Sequence, residues 1–353
     1  MFSRRQSLTA ALTASLATAF TTGFPRAASS QSPQRPLYPP ALRPGDRIGL
    51  VAPASNAYEA EEIKIAQETM QQYGFEVVLG QHIGDQYGYL AGQDRDRAAD
   101  LNAMFARSDI KGIATFRGGY GCCRILPYLD YEQIRQNPKV LIGHSDITSL
   151  LIAIHQKTGL VTFHGPSGLT RVGDYAMNHL RRTVMTPSPA GQIAAPETPP
   201  GVTEPDDRLI TLHPGQATGP LIGGNLTLVT NLLGTPYEPD TRGKILFLEE
   251  IGEEPYRIDR MLTQLLLAGK LQAAAGIAFG HFTDCYPKEH QPTFMQTLSL
   301  ETVLRDRTAG LKQPILYNLM FGHLRRNATL PIGVQAKLDA TAQTLTLLES
   351  AVR

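Results

Sequence analysis

A serine followed by an acid stands where one buried strand pattern ends and a helical pattern begins. Residues 141–150 read LIGHSDITSL, so His144, Ser145 and Asp146 follow an apolar run and Gly143. A turn between a strand and a helix exposes a side chain above the sheet and directs the first helical N–H groups toward a ligand. A serine nucleophile needs that exposure, and a developing oxyanion needs those donors. Serine is also a preferred helix N-cap, and position alone favours capping for Ser145.

Two adjacent glycines follow another strand-like run, GIATF, within the segment RGGYG at residues 117–121. Glycines there allow the backbone to adopt a positive φ and to approach a ligand closely. One of their N–H groups could form an oxyanion hole together with the N–H of Asp146. A phosphate-binding P-loop is excluded because no Lys-Ser or Lys-Thr pair follows. A tight turn that binds nothing is the remaining alternative.

Four carboxylates are concentrated in EEIGEE at residues 249–254. No histidine follows them at the spacing of a helical metal site and the chain contains no H-E-x-x-H, so the pattern predicts no bound metal. Glu253 and Glu254 precede a helical pattern, where the helix dipole stabilises acidic side chains. Glu249 closes the apolar run ILFLE, so we expect it to be partly buried and able to orient a histidine.

Three of the nine histidines end a strand-like run beside a glycine. They are His144, His164 and His323. A histidine in such a place can act as the general base toward a serine. An isolated histidine beside an apolar run is more often a structural residue, and the spacing by itself does not choose among the three.

The chain contains three cysteines, Cys122, Cys123 and Cys285, and this odd number provides no disulfide framework. The adjacent Cys122 and Cys123 lack the C-x-x-C spacing of zinc and redox sites. We therefore expect small buried residues at these positions, and the sequence predicts neither a metal nor a cofactor.

Short apolar strands alternate with helical patterns over the first half of the chain. The predicted strands are RIGLVAP, FEVVLG, GIATF, KVLIG and LVTFHGP. This alternation predicts an α/β fold with a doubly wound parallel sheet over residues 45–182. Such sheets bind ligands beyond the carboxyl ends of their strands, and RGGYG and GHSD both stand at such ends.

The second half of the chain predicts another domain. Residues 183–218 are rich in Pro, Thr and Gly and are predicted to be an interdomain linker. Residues 219–353 contain the predicted strands KILFLEE, GIAFGHF and ILYNLMFGH, the helix PYRIDRMLTQLLLAGKL and a C-terminal hairpin in VQAKLDATAQTLTLLES. Two domains are also the number expected for a chain of 353 residues.

Residues 1–30 have the organisation of an export signal, with Arg4 and Arg5 followed by a mostly apolar stretch and then by small residues. SRRQSL is similar to a twin-arginine signal, so we expect an exported, periplasmic protein. Residues 31–44 are Pro-rich and are predicted to be a tether. The apolar stretch is too short and too rich in Thr for a stable membrane span, and no later segment has the required apolar length.

The charge balance excludes one class of partner. Lys and Arg total 33, Asp and Glu total 32, and the net charge is +1. This balance gives no electrostatic basis for binding a nucleic acid. Hydrophobic residues make up 42% of the chain, which is enough for ordinary globular cores.

Six ordered motifs together resemble the LD-carboxypeptidases, the muramoyl-tetrapeptide carboxypeptidase family of serine peptidases. The motifs are FRGGYGCCRILPYLD, LIGHSDITSL, GLVTFHGP, GGNLTLVTNLLGTPY, GKILFLEEIGEEPYRIDRMLTQLLLAG and FGHLRRNATLPIG. The resemblance extends from about Asp46 to about Asp339. It implies an N-terminal domain like the class I glutamine amidotransferases and a C-terminal swivelling β/α domain.

The resemblance also implies a role for individual residues. Ser145 would be the nucleophile, His323 the base, and Glu249 the acid that orients the base. The backbone N–H groups of Gly118 and Asp146 would form the oxyanion hole. The candidates for substrate binding are Arg117, Gly119, Tyr120, Asn225, Arg257 and Arg260.

The implied reaction is cleavage of the L,D-peptide bond of murein tetrapeptides, which releases terminal D-alanine in peptidoglycan turnover or recycling. It needs no metal, and the family suggests a homodimer. Cys122 and Cys123 stand where small or polar residues are usual in the family, so we expect thiols close to the site.

Two alternatives stay open at this point. A related serine peptidase that hydrolyses a peptide–nucleotide antibiotic, and so confers immunity or resistance, would share the Ser-Glu-His set but lack R-G-G-Y-G. A non-enzymatic periplasmic peptide-binding protein would also have two α/β domains and an export signal. Such a binding protein would need neither Ser145 nor His323.

Overall fold

The computed structural model describes residues 35–170, 173–193 and 208–353. The predicted export signal, residues 1–30, lies outside the described residues, as do the first residues of the predicted tether. None of the helices within the described ranges has the length and apolar character of a membrane span.

The described ranges contain two sheets and the helices that connect their strands. The strands are β1 (Arg47–Val51), β2 (Glu76–Leu79), β3 (Gly112–Thr115), β4 (Val140–Gly143), β5 (Thr162–His164), β6 (Gly191–Ile193), β7 (Ile210–His213), β8 (Gln216–Asn225), β9 (Ile245–Ile251), β10 (Gly276–Thr283), β11 (Ile315–Tyr317), β12 (Leu330–Ile332), β13 (Gln335–Asp339) and β14 (Thr344–Leu347). The helices are α1 (Ala60–Gln72), α2 (Asp94–Ala106), α3 (Cys122–Ile125), α4 (Tyr131–Gln136), α5 (Thr148–Thr158), α6 (Asp174–Val184), α7 (Leu226–Asn231), α8 (Pro255–Leu267), α9 (Lys270–Ala273) and α10 (Leu300–Thr308).

The first sheet has the strand order β12-β5-β4-β3-β1-β2, and β1 to β5 are parallel. The chain moves outward from β1 to β2 and then crosses back to β3, so the direction of winding reverses between β1 and β3. Ligands of such sheets bind at this reversal, beyond the carboxyl ends of the strands. Strands β3 and β4 are buried at every residue, which explains their continuous apolar sequence. The predicted α/β fold is confirmed.

The second sheet has the order β6-β14-β13-β8-β9-β10-β11-β7. Its centre, β8 to β11, is parallel, whereas β13, β14 and β6 on one side and β7 on the other are antiparallel. Strands β13 and β14 form the predicted C-terminal hairpin. The second half of the chain also supplies β12 to the first sheet, where it pairs antiparallel with β5.

The segment 183–218 differs from the predicted linker. It contains the end of α6, the whole of β6 and β7, and the beginning of β8, although residues 194–207 lie outside the described residues. Ile193 of β6 is 1% exposed and pairs with β14. The Pro and Gly residues mark turns between short edge strands, and local composition does not distinguish such turns from a free connection.

The described part of the predicted tether, from residue 35 to residue 44, is fixed to the body of the protein. The N–H of Leu37 donates to the carbonyl of Gly159 at 2.8 Å, and the N–H of Ala41 donates to the carbonyl of Arg353 at 2.8 Å. Leu42 is 4% exposed. A Pro-rich segment is extended, and here partners distant in the sequence satisfy its backbone groups, so it does not act as a free spacer.

Helix α5 follows the GHSD turn and packs against strands of both sheets, including β5 and β8. The amphipathic pattern predicts one apolar face, but the run Leu150–Ile154 is buried on all sides at 0% exposure. Gly159 ends the helix with φ 78°, as expected for a left-handed C-cap. The turn that precedes α5 is therefore attached to a rigid, buried element.

Candidate active site

The loops that follow β3 and β4 meet the segment that follows β11 at a cavity of about 540 Å³. This is the edge of the first sheet where the winding reverses. The cavity is lined by Tyr58, Glu62, Arg117, Gly118, Gly119, His144, Ser145, Ser167, Leu169, Thr170, Ile251, His323, Leu324 and Arg325.

Ser145 lines this cavity from a strained turn. Its φ is 64°, in the left-handed region that residues other than glycine and asparagine seldom adopt. It opens the 3-10 turn Ser145–Ile147, and neither this turn nor α5 has a side-chain N-cap hydrogen bond. The capping interpretation is therefore wrong. A strained residue that caps nothing and faces a cavity is typical of a functional position.

The backbone of RGGYG lies directly against Ser145. A Cβ added to Gly118 would lie 2.6 Å from Ser145 Cβ and 3.3 Å from the backbone nitrogen of Asp146. The neighbouring Gly119 has φ 114°, and a Cβ there would collide with Ser55 Oγ at 2.3 Å. Only glycines allow this approach, which brings both predicted oxyanion-hole positions, Gly118 and Asp146, next to the serine.

Buried polar groups hold the glycine loop in this place. The Asp146 carboxylate accepts the N–H of Cys122 at 2.7 Å. Arg97 has a fully buried side chain and donates to the carbonyl of Gly121 at 3.1 Å and to that of Pro53. Sequence reasoning did not find Arg97, because an arginine in a helical pattern normally points to solvent. The role of Arg97 can be recognised only from its contacts with backbone carbonyls that are distant in the sequence.

His323, which lines the cavity, makes a short contact with the buried Glu249. Nδ1 of His323 lies 2.7 Å from Oε2 of Glu249. The glutamate side chain is 0% exposed and the histidine side chain is 13% exposed. A carboxylate at Nδ1 keeps the proton on that nitrogen and leaves Nε2 as the basic nitrogen. Glu249 is thus fully buried, not partly buried as the sequence indicated.

Each member of this pair shifts the pKa of the other. Burial alone would lower the pKa of His323, but the charge and the hydrogen bond of Glu249 raise it above its ordinary value. Burial alone would raise the pKa of Glu249, but His323 and His164 hold it well below its ordinary value. The carboxylate therefore stays ionised and stabilises a protonated His323.

The three histidines that the sequence left as alternatives are neighbours in space. The rings of His144 and His323 have centroids 5.0 Å apart, and those of His144 and His164 are 6.2 Å apart. Burial, followed by the charges of His323 and His164, lowers the pKa of His144 to about 3. His164 is completely buried. His323 alone among the three both lines the cavity and hydrogen-bonds Glu249.

Two of the predicted substrate-binding residues, Arg117 and Gly119, line the cavity. The guanidinium of Arg117 lies 4.9 Å from the centre of the Tyr58 ring, and Nη1 is 3.9 Å from Glu62 Oε2. Arg325 also lines the cavity and was missed, although it stands two residues after His323 in the motif FGHLRR. The cavity wall therefore contains two arginines.

The other predicted substrate-binding residues do not line the cavity. Tyr120 is exposed and packs against Tyr89, with ring centroids 5.5 Å apart. Arg257 pairs with Glu253, and Arg260 lies over the ring of Tyr256. These partners are sequence neighbours on or beside α8, so the arginines cover the surface of their own helix.

Asn225 is buried and has a structural role at the start of α7. Its Oδ1 accepts the N–H of Leu228 at 3.3 Å, and its Nδ2 donates to Glu250 Oε1 at 2.8 Å. Glu250 also accepts the N–H and the hydroxyl of Thr227. The amide is thus used in capping the helix, and it does not line the cavity.

The cysteines near the site have little thiolate character. Cys122 is fully buried, and burial raises its pKa well above the ordinary value. Burial also raises the pKa of Cys123, whose Sγ lies 3.1 Å from Ser149 Oγ. Thiols in this state react slowly with electrophiles.

Among the described residues, one group of three potential metal ligands has its ligand atoms close together, and it lies away from the cavity. His82, Asp85 and Asp96 have ligand atoms within 4.8 Å of one another. None of the three lines the cavity, and His82 Nδ1 is already within 2.8 Å of Asp85 Oδ2. Serine, histidine, glutamate and backbone donors are the reactive groups around the cavity, and they are the set that acyl transfer requires.

Comparison with known proteins shows which family the chain belongs to. Residues 48–165 match the family model described as the LD-carboxypeptidase N-terminal domain, and residues 218–338 match that of the C-terminal domain. The chain is 43% identical over 314 residues to a probable murein peptide carboxypeptidase of Bacillus subtilis, which covers 89% of this chain and 95% of that protein. It is 34% identical over 303 residues to the murein tetrapeptide carboxypeptidase of Pseudomonas aeruginosa, with 83% and 93% covered.

The fold has a solved counterpart. The microcin C7 self-immunity protein MccF in its wild-type apo state superposes with a TM-score of 0.80 and 26% identity, over 90% of this chain and all of that one. Both halves of the chain thus match one family, in sequence and in fold. The protein belongs to the LD-carboxypeptidase family.

Proposed function

We propose that the protein is a serine-type carboxypeptidase that removes terminal D-alanine from murein tetrapeptides. The observation that carries this proposal is the arrangement at the cavity. Ser145 occupies a strained turn there and shares the cavity with His323, whose Nδ1 is bound to Glu249 at 2.7 Å. The relatives named as murein carboxypeptidases supply the class of substrate.

In the proposed mechanism, Nε2 of His323 accepts the hydroxyl proton as Ser145 Oγ attacks the carbonyl carbon that precedes D-alanine. The negative oxygen is stabilised by the N–H groups of Gly118 and Asp146. His323, held by Glu249, then donates its proton to the leaving amine of D-alanine. Water, deprotonated by the same histidine, hydrolyses the acyl-enzyme and restores the Ser145 hydroxyl.

The substrate ends in a carboxylate, and two arginines line the cavity. A planar guanidinium binds a carboxylate through two parallel hydrogen bonds. Arg117 adjoins Gly118, and its contact with Glu62 is long at 3.9 Å, so its guanidinium is available to a ligand. We propose that Arg117 binds the terminal carboxylate and that Arg325 binds another acidic group of the stem peptide.

Replacing Arg117 with alanine is expected to lower kcat/KM for a tetrapeptide by about 10- to 100-fold, since hydrogen bonds to a charged group contribute about 1.5–3 kcal/mol. The loss should be much smaller for the same peptide with a C-terminal amide, which has no carboxylate to bind. Arg260→Ala, which removes an arginine outside the cavity, is the matched control. It should leave kcat/KM unchanged for both the tetrapeptide and its C-terminal amide. Equal losses on both substrates would contradict this role for Arg117.

The function itself is tested by mass spectrometry of muropeptides incubated with the protein. We expect tetrapeptides to lose the mass of one alanine residue, with tripeptides and pentapeptides unchanged. Because MccF has been solved with aspartyl sulfamoyl adenosine, hydrolysis of that compound should be measured in parallel. Its cleavage without any change in the tetrapeptides would replace the proposed function with that of an antibiotic-conjugate peptidase. No reaction of either compound would favour a binding protein.

A further inference from the structure

One oxygen of the buried Glu249 carboxylate has no hydrogen-bond donor among the described residues. Oε2 is bound to His323 Nδ1, but Oε1 accepts no hydrogen bond, and the side chain is 0% exposed. An ionised oxygen in an apolar environment is costly unless a donor faces it. The proposed mechanism uses only Oε2, so the environment of Oε1 needs a separate explanation.

Oε1 faces the side chain of His164. Its Nε2 lies 3.5 Å from Glu249 Oε1, and its side chain is also 0% exposed. Neither of its ring nitrogens has a hydrogen-bond partner among the described residues. The ring makes edge contacts with His144 and with Phe247, at centroid distances of 6.2 and 5.6 Å. A donor without a partner and an acceptor without a partner thus face each other in a packed interior.

The fold leaves His164 little freedom to move away. It is the last residue of β5, which is paired on one side with β4 and on the other with β12. An approach of about 0.5 Å would convert the contact into an ordinary N–H···O hydrogen bond.

We infer that His164 is a positioning residue that donates its Nε2–H to Glu249 Oε1 while His323 occupies Oε2. This inference rests on the proposed function, because it concerns the acid that orients the base. A carboxylate held at both oxygens cannot rotate, so His323 keeps its orientation when it gains and loses a proton. The donor matters most while His323 is neutral, because Glu249 is then an anion without a cationic partner.

The other titratable groups around this set do not supply that donor. His144, at the end of β4, stays neutral because burial lowers its pKa to about 3. Its Nδ1 faces the carbonyl of Gly165 at 3.2 Å. Glu250, the next residue in β9, is occupied by hydrogen bonds from Asn225 and Thr227. His164 is the remaining ring that faces Glu249.

The test compares His164→Leu, which removes the donor, with His164→Gln, whose amide nitrogen can take the position of Nε2. The pKa of His323 is measured by NMR in the full chain without any substrate. We expect it to rise in His164→Leu, because Oε1 of the ionised Glu249 then has no donor, and the unstabilised negative charge favours the protonated form of His323 to higher pH. We expect His164→Gln to titrate like the parent. The acid limb of the kcat/KM profile should shift in the same way.

Several outcomes overturn the inference. One is an unchanged His323 titration in a folded His164→Leu variant, with only the melting temperature lowered, because that describes a purely structural residue. Another is a His164→Gln variant that titrates like His164→Leu, because the shape or the charge of the imidazole would then matter and not a neutral donor. If His164→Leu does not fold, His164→Phe removes the donor while keeping a planar ring. The NMR measurement needs no turnover, so it decides this point even if the proposed activity is absent.

Discussion

Replacing Ser145 with alanine is expected to lower kcat for the proposed release of D-alanine by about 10⁶-fold, as removal of the nucleophile does in serine peptidases. Among the described residues, the Ser145 side chain is the one nearest to a Cβ placed at Gly118, with Cβ at 2.6 Å and Oγ at 3.0 Å. In the proposed mechanism no acyl-enzyme forms without Oγ, whereas the arginines and the cavity wall stay in place. The Kd for a tetrapeptide, measured calorimetrically, should therefore change by only a few-fold.

A matched control for this variant is Ser108→Ala, which removes an exposed serine hydroxyl from the surface. It should keep the parental kcat. Retention of more than about one-hundredth of the activity by Ser145→Ala would exclude Ser145 as the nucleophile. Loss of tetrapeptide binding together with turnover would indicate that the substitution had disturbed the fold of the turn.

Replacing Glu249 with glutamine is expected to lower kcat by about 10⁴-fold. A glutamine amide can donate to Nδ1 of His323, and this places the ring proton on Nε2, where it blocks proton transfer from Ser145. The effect does not depend on losing the shape of the side chain, because glutamine and glutamate have nearly the same volume. Glu253→Gln, which changes a carboxylate paired with Arg257 at the surface, should have no comparable effect.

Glu249→Gln is also expected to change the pH dependence of the activity. In the parent, Glu249 raises the pKa of His323, and the base must be neutral to act. Activity is therefore lost as the pH falls through this raised pKa. With the charge removed, burial continues to lower the pKa of His323, so the residual acid limb of Glu249→Gln should move to lower pH. An acid limb that stays in place, or moves to higher pH, in a profile of kcat/KM would contradict the assignment of His323 as the base.

Local patterns in the sequence predicted most of the elements that carry the site. The strands before RGGYG and GHSD and the helix after Ser145 follow from apolar runs and periodicity, which depend on near neighbours only. The sequence did not predict that segment 183–218 contributes strands to a sheet or that residues 35–44 are fixed to the body. In both cases the partners are far away in the chain, and the Pro-rich composition suits either a free or a bound segment.

For the site, the amino-acid sequence by itself determined which residue types could react and at which strand ends they stand. It also provided the six ordered motifs by which the family was recognised, and the comparisons confirm that recognition. From spacing alone it could not choose among His144, His164 and His323, because each follows a strand and adjoins a glycine. Only the resemblance favoured His323.

The tertiary structure decided the contacts. It bound His323 to Glu249, buried His164 behind that pair, and brought Arg117 and Arg325 to the cavity while leaving Arg260 on the surface of α8. These outcomes depend on distances between segments that the chain separates by many residues. The burial and the pKa values of the site side chains depend on those distances in turn. Neither follows from the sequence until the relative position of the two sheets is known.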